Sequence, residues 1–497
     1  METAVKPEKF LDRVETALRD DSLKTALGRA TERLGSRRST ALASLEDSDL
    51  VRDMARRAKM GLLRDLAGNL ETFEKNLIKN GVHVHWAEDG AQANRIVAEI
   101  AKQRGCKRAV KSKSMATEET HLNKTLLDAG MDVLETDLGE YIVQLAGTTP
   151  SHIILPIIHM TKESIGEVMH RKIQVPYTSD PEKLAKIARA KLREAFLSAD
   201  MGITGANFGV IDSGAIALVS NEGNARLVTT LPRVHVVLMG IEKLVPSLSD
   251  LDLMVKILAR SATGQKITTY TSLVSGPRAP GETDGCEEMH VILMDNGRSR
   301  ILGGPLAEIL GCIRCGACLN ACPVYKNIGG HAYGDTYPGP IGSIVTPGLR
   351  GIKGWKELPD ASSLCGACRE VCPVRLDIPR MLLHLRKQAV EEADIPMALR
   401  LGIFGFGAVA SSPFLYRTGA RLGGIFARLM APGGWIKKLP GIAGGWTRCR
   451  DMKVPASKSF QQQFRERIPK VRAHAASQVT GKVPVAVTAK AEANHGG

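Results

Sequence analysis

The sequence predicts an α/β domain, then a small cysteine-rich domain, then a basic C-terminal region. Three observations lead to this division. Between residues 81 and 302, short β-rich runs alternate with amphipathic helical segments, which is typical of a mainly parallel sheet covered by helices. Seven cysteines then lie between Cys312 and Cys372. From Pro396 onward the chain carries 16 Lys and Arg but 3 Asp and Glu, so most of the net charge of +15 is concentrated there.

Residues 1–80 are expected to form N-terminal helices. Their apolar residues recur at three- and four-residue spacing, and Asn80-Gly81 is a stop signal. The extreme N-terminus lacks the apolar stretch of a secretory signal, so a cytoplasmic location is expected. At 497 residues the chain exceeds the size at which a single core usually stops growing, about 250–300 residues.

The α/β domain is expected to span residues 81–302. Helices are predicted at residues 91–104 and 117–129. The strand candidates are residues 82–86, 108–110, 132–134, 141–145, 152–158, 214–219, 227–229 and 234–239.

This domain offers no recognised catalytic motif, so its catalytic residues are unknown at this stage. Neither a G-x-G-x-x-G run nor a G-x-x-x-x-G-K-[ST] loop is present, which leaves a nucleotide site unsupported. Residues 111–115 follow a predicted strand and would present an anion site or, as we favour, a plain loop. Glu222 lies in a polar turn at residues 220–226, with no clear role.

The cysteines form two groups with related spacing. The first runs Cys312-Ile-Arg-Cys-Gly-Ala-Cys-Leu-Asn-Ala-Cys322-Pro, the C-x2-C-x2-C-x3-C-P pattern of bacterial-type ferredoxins, in which the fourth cysteine binds the other cluster. The second repeats it with Ser362 in the first cysteine position. The crossing rule predicts two [4Fe–4S] clusters. Their predicted ligands are Cys312, Cys315, Cys318 and Cys372 for the first cluster, and Cys322, Cys365 and Cys368 for the second.

One iron of the second cluster lacks an obvious thiolate. The spacing of the cysteines leaves several explanations for that iron open. Its ligand could be Ser362, a water or a distant cysteine, or the cluster could be a three-iron [3Fe–4S] cluster that lacks it. Cys106, Cys286 and Cys449 stand apart and are expected to be small buried residues. A structural zinc site would not need the proline-terminated triple, and a disulfide framework does not suit this chain.

Residues 303–395 are expected to form the two-cluster domain. Residues 327–361 contain eight glycines and four prolines, which predicts a long loop. Asp377 is expected to cap a helix that runs to about residue 393.

Residues 396–473 form the basic region, and residues 474–497 are expected to be disordered. The uncharged run at residues 401–416 is shorter than the roughly 20 residues of a membrane span. A partner protein is the expected contact, with the inner membrane face as a second expectation. Nucleic acid is not expected, because no recognised module accompanies the charge.

The two cysteine groups, the run Tyr337-Pro-Gly-Pro-Ile-Gly-Ser343, and residues 137–145 and 207–226 resemble the lactate-utilisation iron–sulfur protein B family. The resemblance covers about residues 60–470. It implies a lactate-utilisation (LUD) domain with a fold like the ribose-5-phosphate isomerase/CoA-transferase group. It also implies a ferredoxin-like domain with serine at position 362, and partner proteins in the oxidation of L-lactate to pyruvate. The turn Ser220-Asn-Glu-Gly223 departs from the Ser-Glu-Asn-Gly of some CoA transferases, which leaves Glu222 doubtful as a catalyst.

Three functions follow as hypotheses. The favoured one is an electron-transfer subunit of an L-lactate-oxidising complex, since cluster ligands are present and no flavin, nicotinamide or acid–base constellation is evident. The alternative is a self-sufficient α/β enzyme that acts on lactate, a sugar phosphate or an acyl donor. A nucleic-acid-binding iron–sulfur protein is a third interpretation.

Overall fold

The structure is a computed structural model that describes residues 9–392, 397–431, 433–447 and 450–469. The chain divides into two compact units, with the boundary between residues 394 and 395. The first unit contains the N-terminal helices, the α/β domain and both cysteine groups. The second contains the basic region, and each unit is described by itself.

Four helices precede the first strand, as predicted. They are α1 (Phe10–Arg19), α2 (Asp21–Ala43), α3 (Ser48–Arg64) and α4 (Leu66–Lys79). Asp20, Asp47 and Asp65 begin the last three by accepting hydrogen bonds from backbone N–H groups of the first turn. Their buried apolar faces, which include Leu27 and Phe73, join the main core that also holds the cysteine groups.

Two sheets form the centre of the α/β domain. Their strands are β1 (His83–Ala87), β2 (Arg108–Lys111), β3 (Asp132–Glu135), β4 (Met201–Thr204), β5 (Phe208–Val210), β6 (Ala215–Ser220), β7 (Val234–Gly240), β8 (Leu244–Val245), β9 (Tyr270–Val274) and β10 (Glu288–Met294). The larger sheet has the order β1-β10-β7-β4-β2-β3 and all its pairs are parallel. The smaller has the order β8-β5-β6-β9. The predicted α/β class with a parallel sheet is confirmed.

Nine helices of the α/β domain lie within the described residues. They are α5 (Gly90–Gln103), α6 (Met115–Glu119), α7 (Leu122–Asp128), α8 (Leu138–Ala146), α9 (Lys162–Ile173), α10 (Pro181–Ser198), α11 (Asn224–Thr230), α12 (Leu248–Ala262) and α13 (Arg298–Leu302). Every residue of β7 is buried, as is all of β10 except its first residue, which accounts for their near-continuous apolar sequences.

Three of the strand predictions are wrong. Residues 141–145 belong to helix α8, which Asp137 caps by accepting from the N–H groups of Gly139 and Glu140. Residues 227–229 belong to helix α11. Residues 152–158 form turns, because the ring Nδ1 of His152 accepts hydrogen bonds from the N–H groups of Ile154 and Leu155. Short apolar runs suit a strand or a buried helix equally well, and only the capping contacts separate them.

The prediction also omitted β4 and β10, two inner strands of the parallel sheet. The four residues of β4 carry a single β-branched apolar side chain, so their composition gives little strand signal.

The cysteine groups lie among short helices, which are α14 (Ala317–Ala321), α15 (Pro323–Ile328), α16 (Gly339–Arg350), α17 (Ala367–Glu370) and α18 (Ile378–Glu392). The loop predicted for residues 327–361 is wrong over its middle third, where α16 forms despite Pro347 in its interior. Its first nine residues are buried, so tertiary packing supplies the stability that their helix propensity lacks. Helix α18 begins after Asp377, as predicted.

The described residues of the second unit include the helices α19 (Met397–Ala410) and α20 (Pro413–Met430), and residues 460–469 are also helical. Two short strands, β11 (Trp435–Ile436) and β12 (Met452–Lys453), pair with each other. Among the described residues, no helix is both long and apolar enough to cross a membrane. The predicted disordered tail at residues 474–497 lies outside the described residues.

Candidate iron–sulfur centre and adjoining cavity

Four cysteines line one small cavity in the first unit. Cys312 and Cys315 reach it from the loop before α14, Cys318 from the first turn of α14, and Cys372 from the segment after α17. The cavity has a volume of about 20 Å³ and mostly apolar walls, which include Ile341. The structure therefore brings together the four thiols assigned by the sequence to the first cluster.

The other three cysteines are neighbours of one another. Burial and the thiols of Cys322 and Cys365 raise the pKa of Cys368 to about 12. Cys365 is exposed, and the backbone N–H of Ala367 lowers the pKa of its thiol. The second group therefore has one thiol at the protein surface, whereas Cys322 and Cys368 are buried.

The two cysteine groups repeat each other in backbone conformation as well as in sequence. Arg314 has a φ of 59° and Gly316 a φ of 74°. The equivalent residues of the second group, Leu364 and Gly366, have φ values of 55° and 85°. Non-glycine residues seldom adopt positive φ. The same strained turn has therefore formed in both groups, around Cys315 in the first and around Cys365 in the second.

Ser362 occupies the position in this repeat that Cys312 occupies in the first group. The backbone N–H of Arg314 donates to Sγ of Cys312 over 3.4 Å, and the N–H of Leu364 donates to Oγ of Ser362 over 3.1 Å. The same local hydrogen bond therefore holds a thiol in one group and a hydroxyl in the other.

The thiol environment fits iron–sulfur clusters. Backbone N–H groups donate to the sulfurs of Cys322 and Cys372 as they do to Cys312, and such bonds tune cluster potentials. Burial and mutual repulsion raise the pKa of Cys315 and Cys318, so bare thiolates would be unfavourable there without a metal core. Within the described residues, no three His, Cys, Asp or Glu side chains close around a single metal ion. Thiols in this spacing, with backbone N–H groups directed at three of the sulfurs, form the kind of donor set that iron–sulfur clusters use.

The isolated cysteines have other neighbours. Cys106 lies beside Arg233, and Cys286 accepts a backbone hydrogen bond from Arg278. Both are buried in the α/β domain, as expected. Cys449 lies outside the described residues.

A buried network of charges connects the first cysteine group to the parallel sheet. Arg298 donates from Nη1 and Nη2 to the two oxygens of Glu119, both over 2.9 Å, and from Nε to Glu242 over 2.6 Å. Arg314, inside the cysteine motif, contacts the other oxygen of Glu242 at 3.4 Å. Burial alone would raise the pKa of Glu242, but Arg298 and Arg314 lower it to about 2.

Tyr337 adds a further link to this network. Its hydroxyl donates to Glu119 over 2.6 Å, and its ring packs 4.9 Å from the guanidinium of Arg314. A Cβ at Gly240 would collide with the carboxylate of Glu242 and the guanidinium of Arg298, so the network requires glycine at the end of β7.

A larger cavity, of about 420 Å³, adjoins this network in the α/β domain. Arg314 lines both this cavity and the small cysteine-lined one. The other charged residues that line the larger cavity are Lys113, Asp137, Glu222, Lys243 and Arg298. Residues 111–115, predicted as a loop, supply Lys113, whose ammonium donates to the carbonyl of Ile154 over 2.8 Å.

Glu222 lies at the exposed rim of this cavity. Desolvation and the carboxylate of Asp137 raise the pKa of Glu222, and its oxygen accepts from the N–H of Leu138. Burial and Arg314 lower the pKa of Lys243 to about 8.

Nothing in the sequence identified Lys243 or the buried network residues Glu119, Glu242 and Arg298. Arg314 and Tyr337 stood out only because they lie within motifs. Glu119, Glu242 and Arg298 are single charged residues on different elements, with no local pattern to connect them. The only signal for Arg314 was its place between two ligand cysteines.

Comparison with known families agrees with this geometry. A model described as a 4Fe-4S dicluster domain matches residues 308–376, which contain both cysteine groups. The protein is therefore an iron–sulfur protein whose cluster domain is joined to an α/β domain. The LUD domain model matches residues 70–294, and the model for the C-terminal part of lactate utilisation protein B matches residues 389–468.

The similarity extends along nearly the whole chain. Lactate utilization protein B of Bacillus licheniformis is 43% identical over 93% of this chain and 97% of its own length. The Macrococcus caseolyticus protein is 44% identical over 93% and 98%, and that of Bacillus subtilis 41% identical over 93% and 96%. The chain belongs to the lactate utilization protein B family.

One solved structure is a DUF162 family protein from Deinococcus radiodurans. It is 15% identical and covers 46% of this chain and 98% of its own, with a TM-score of 0.26. No structural argument rests on this likeness.

If thiolates are shared between the groups, single alanine substitutions will damage different clusters. Cys372→Ala should affect the cluster of Cys312, Cys315 and Cys318, and Cys322→Ala the other, each with loss of up to about half of the iron. Iron analysis and electron paramagnetic resonance after anaerobic purification measure this. Cys286→Ala, which changes a buried cysteine of the α/β domain, is the control. Two variants with the same spectral loss would contradict the sharing of thiolates.

Ser362→Cys tests the open corner of the second cluster. Because its side chain occupies the position of Cys312 in the repeat, we expect the cysteine to give a stable four-iron signal in place of a labile or three-iron one. The measurement is the electron paramagnetic resonance spectrum, recorded during mild oxidation. Ser363→Cys, at the neighbouring exposed position, is the matched control. Identical spectra for wild type and Ser362→Cys would show that another group already completes the site.

Proposed function

We propose that this protein is the iron–sulfur electron-transfer subunit in the oxidation of L-lactate to pyruvate, acting with partner proteins. The observation that carries the proposal is the cysteine-rich domain, whose seven thiols form two neighbouring groups inside one compact unit. The names of the similar proteins supply the pathway, lactate utilisation.

The ligand sets that we propose follow the same division. Cys312, Cys315, Cys318 and Cys372 would hold the first [4Fe–4S] cluster, and Cys322, Cys365 and Cys368, with Ser362, the second. Such clusters, when bound, take up and release single electrons. The protein's part is to bury the first group in apolar surroundings, to direct backbone N–H groups at the sulfurs, and to leave Cys365 exposed.

A carrier explains this chain better than a self-sufficient dehydrogenase. Removal of a hydride or a hydrogen atom from lactate needs a flavin, a nicotinamide or an equivalent acceptor beside a catalytic base. The sequence does not contain the dinucleotide-binding motif G-x-G-x-x-G considered above. The likeness of the α/β domain to the isomerase/CoA-transferase group remains part of this proposal.

Lactate oxidation should therefore require the partner proteins. The purified, cluster-loaded protein should not reduce an artificial acceptor with L-lactate, whereas addition of the partner proteins should restore the reaction. Stopped-flow reduction of the clusters by lactate, with and without partners, provides the measurement. Turnover by the protein alone would favour the self-sufficient enzyme.

We further propose that the second unit docks a partner subunit. Its helices expose large apolar side chains, among them Phe404, which is 78% exposed, and Leu429, which is 77% exposed. Arg417 and Arg421 accompany them on α20. Exposed apolar side chains surrounded by basic residues suit a partner protein with acidic residues at the edge of its interface. The other outcome of the test is that the protein is cytoplasmic and docks at the inner face of the membrane.

Removal of charge from this surface should weaken association. The triple variant Arg417→Gln, Arg421→Gln and Lys437→Gln should co-purify less with the partner proteins, and wild-type association should weaken as salt is raised. Three exposed lysines of the first unit, Lys102, Lys183 and Lys191, changed to glutamine, are the control.

Co-purification that ignores both the triple substitution and salt would remove the electrostatic argument. Binding of the wild type to anionic vesicles instead of to the partners, lost in the triple variant, would show that the membrane is the docking surface.

A further inference from the structure

We propose that the 420 Å³ cavity of the α/β domain binds an organic carboxylate with an apolar body, with the carboxylate held by Lys243 and Arg314 beside the first cysteine group. This site goes beyond the proposed function, because electron carriage through the clusters needs no organic ligand in the α/β domain. The cavity combines unpartnered cationic donors, a lining charge that suits one anion, and apolar walls.

Arg314 is buried and incompletely bonded. Its Nη2 contacts Glu242 and its positive charge interacts with Cys312, but Nε and Nη1 have no hydrogen-bond partner of good geometry among the described residues. Its side chain is 7% exposed, and buried donors without a partner are unfavourable. The guanidinium lines the large cavity and stacks on Tyr337. A planar fork with free donors fits the two oxygens of a carboxylate.

Lys243 supplies a second cation at the same cavity. It follows β7, and its ammonium makes no hydrogen bond or ion pair with any described residue. Its backbone is fixed, since its carbonyl accepts from the N–H of Gly209 and the buried ammonium of Lys59 donates to the carbonyls of Glu242 and Leu244 on either side. The lysine is thus presented to the cavity from a rigid turn.

The charged residues that line the cavity favour a ligand with one negative charge over a ligand with two. Glu119 saturates much of Arg298, and Glu242 is shared between Arg298 and Arg314. Asp137 and Glu222 also line the cavity and would repel a polyanion. A phosphate ester, which brings nearly two charges, is therefore a poorer fit than a monocarboxylate.

The rest of the cavity suits an apolar body. Its volume lies within the usual range for small-molecule sites, about 300–1,000 Å³. The apolar residues that line it include Ile153, Leu218, Leu238, Met239 and Leu258. Asn221 and Glu222 are exposed and mark the mouth, whereas Arg298, Arg314 and Tyr337 form a buried floor.

The competing explanation is that both cations only balance the negative charge of the first cluster. Arg314 lines the cysteine cavity as well and could serve both roles, whereas Lys243 lines only the larger one and reaches the first cysteine group through its electrostatic interaction with Cys312. Lys243 is therefore the residue that separates the two explanations.

The test is calorimetric titration of the anaerobically purified, cluster-loaded full chain with phenylpyruvate, pyruvate, L-lactate and inorganic phosphate. Phenylpyruvate should bind once per chain, more tightly than pyruvate or lactate, and phosphate should not displace it. Lys243→Met should weaken binding about tenfold or more, since charged hydrogen bonds contribute about 1.5–3 kcal/mol. Lys256→Met, at an exposed position of α12, is the matched control and should bind as the wild type does.

Iron content and the resonance spectrum show that each variant is loaded. The proposal is overturned if no carboxylate gives saturable binding, if Lys243→Met binds equally well, or if phosphate competes. It is also overturned if Lys243→Met changes only the cluster spectrum. Lactate oxidation by the protein with its partners is measured separately, so a failed carboxylate site with intact oxidation leaves the proposed function standing.

Discussion

The buried chain of charges from Glu119 through Arg298 and Glu242 to Arg314 holds the first unit together. It joins the end of α6, the start of α13, the turn after β7 and the first cysteine loop. Breaking such a buried pair from one side costs about 3–5 kcal/mol, because the remaining charge has no water to solvate it. The cysteine loop therefore cannot move independently of the parallel sheet, and the two domains form one compact unit.

Because of this coupling, the cysteine cavity and the larger cavity of the α/β domain lie next to each other. On one side of Arg314 lie the buried thiols of the first cysteine group, and on the other lies the cavity with Lys243. A ligand in that cavity would lie next to the first group, so its charge would be felt at the thiolates through a low-dielectric interior. In the second group, Cys365 is exposed to solvent, whereas Cys322 and Cys368 are buried.

The repeated turn of the two cysteine groups shows what tertiary structure adds to a motif. The spacing of the cysteines predicted which thiols belong together, because three thiolates at every third residue can wrap only one face of a cluster. The spacing could not show that Arg314 and Leu364 adopt the same positive φ, or that Ser362 accepts the hydrogen bond that Cys312 accepts. These are consequences of backbone conformation, which the identity of the side chain does not reveal.

The sequence by itself determined the α/β class, the N-terminal helices, the cysteine pattern and the family, because these depend on local periodicity and spacing along the chain. Only the tertiary structure decided that residues 141–145 and 227–229 are helical and that α16 forms in a stretch rich in glycine and proline. Capping contacts and burial outweigh propensity in those segments. The same holds for Glu119, Glu242, Lys243 and Arg298, which lie on separate elements and meet only when the chain folds, since charge pairing in a dry interior depends on distance in space.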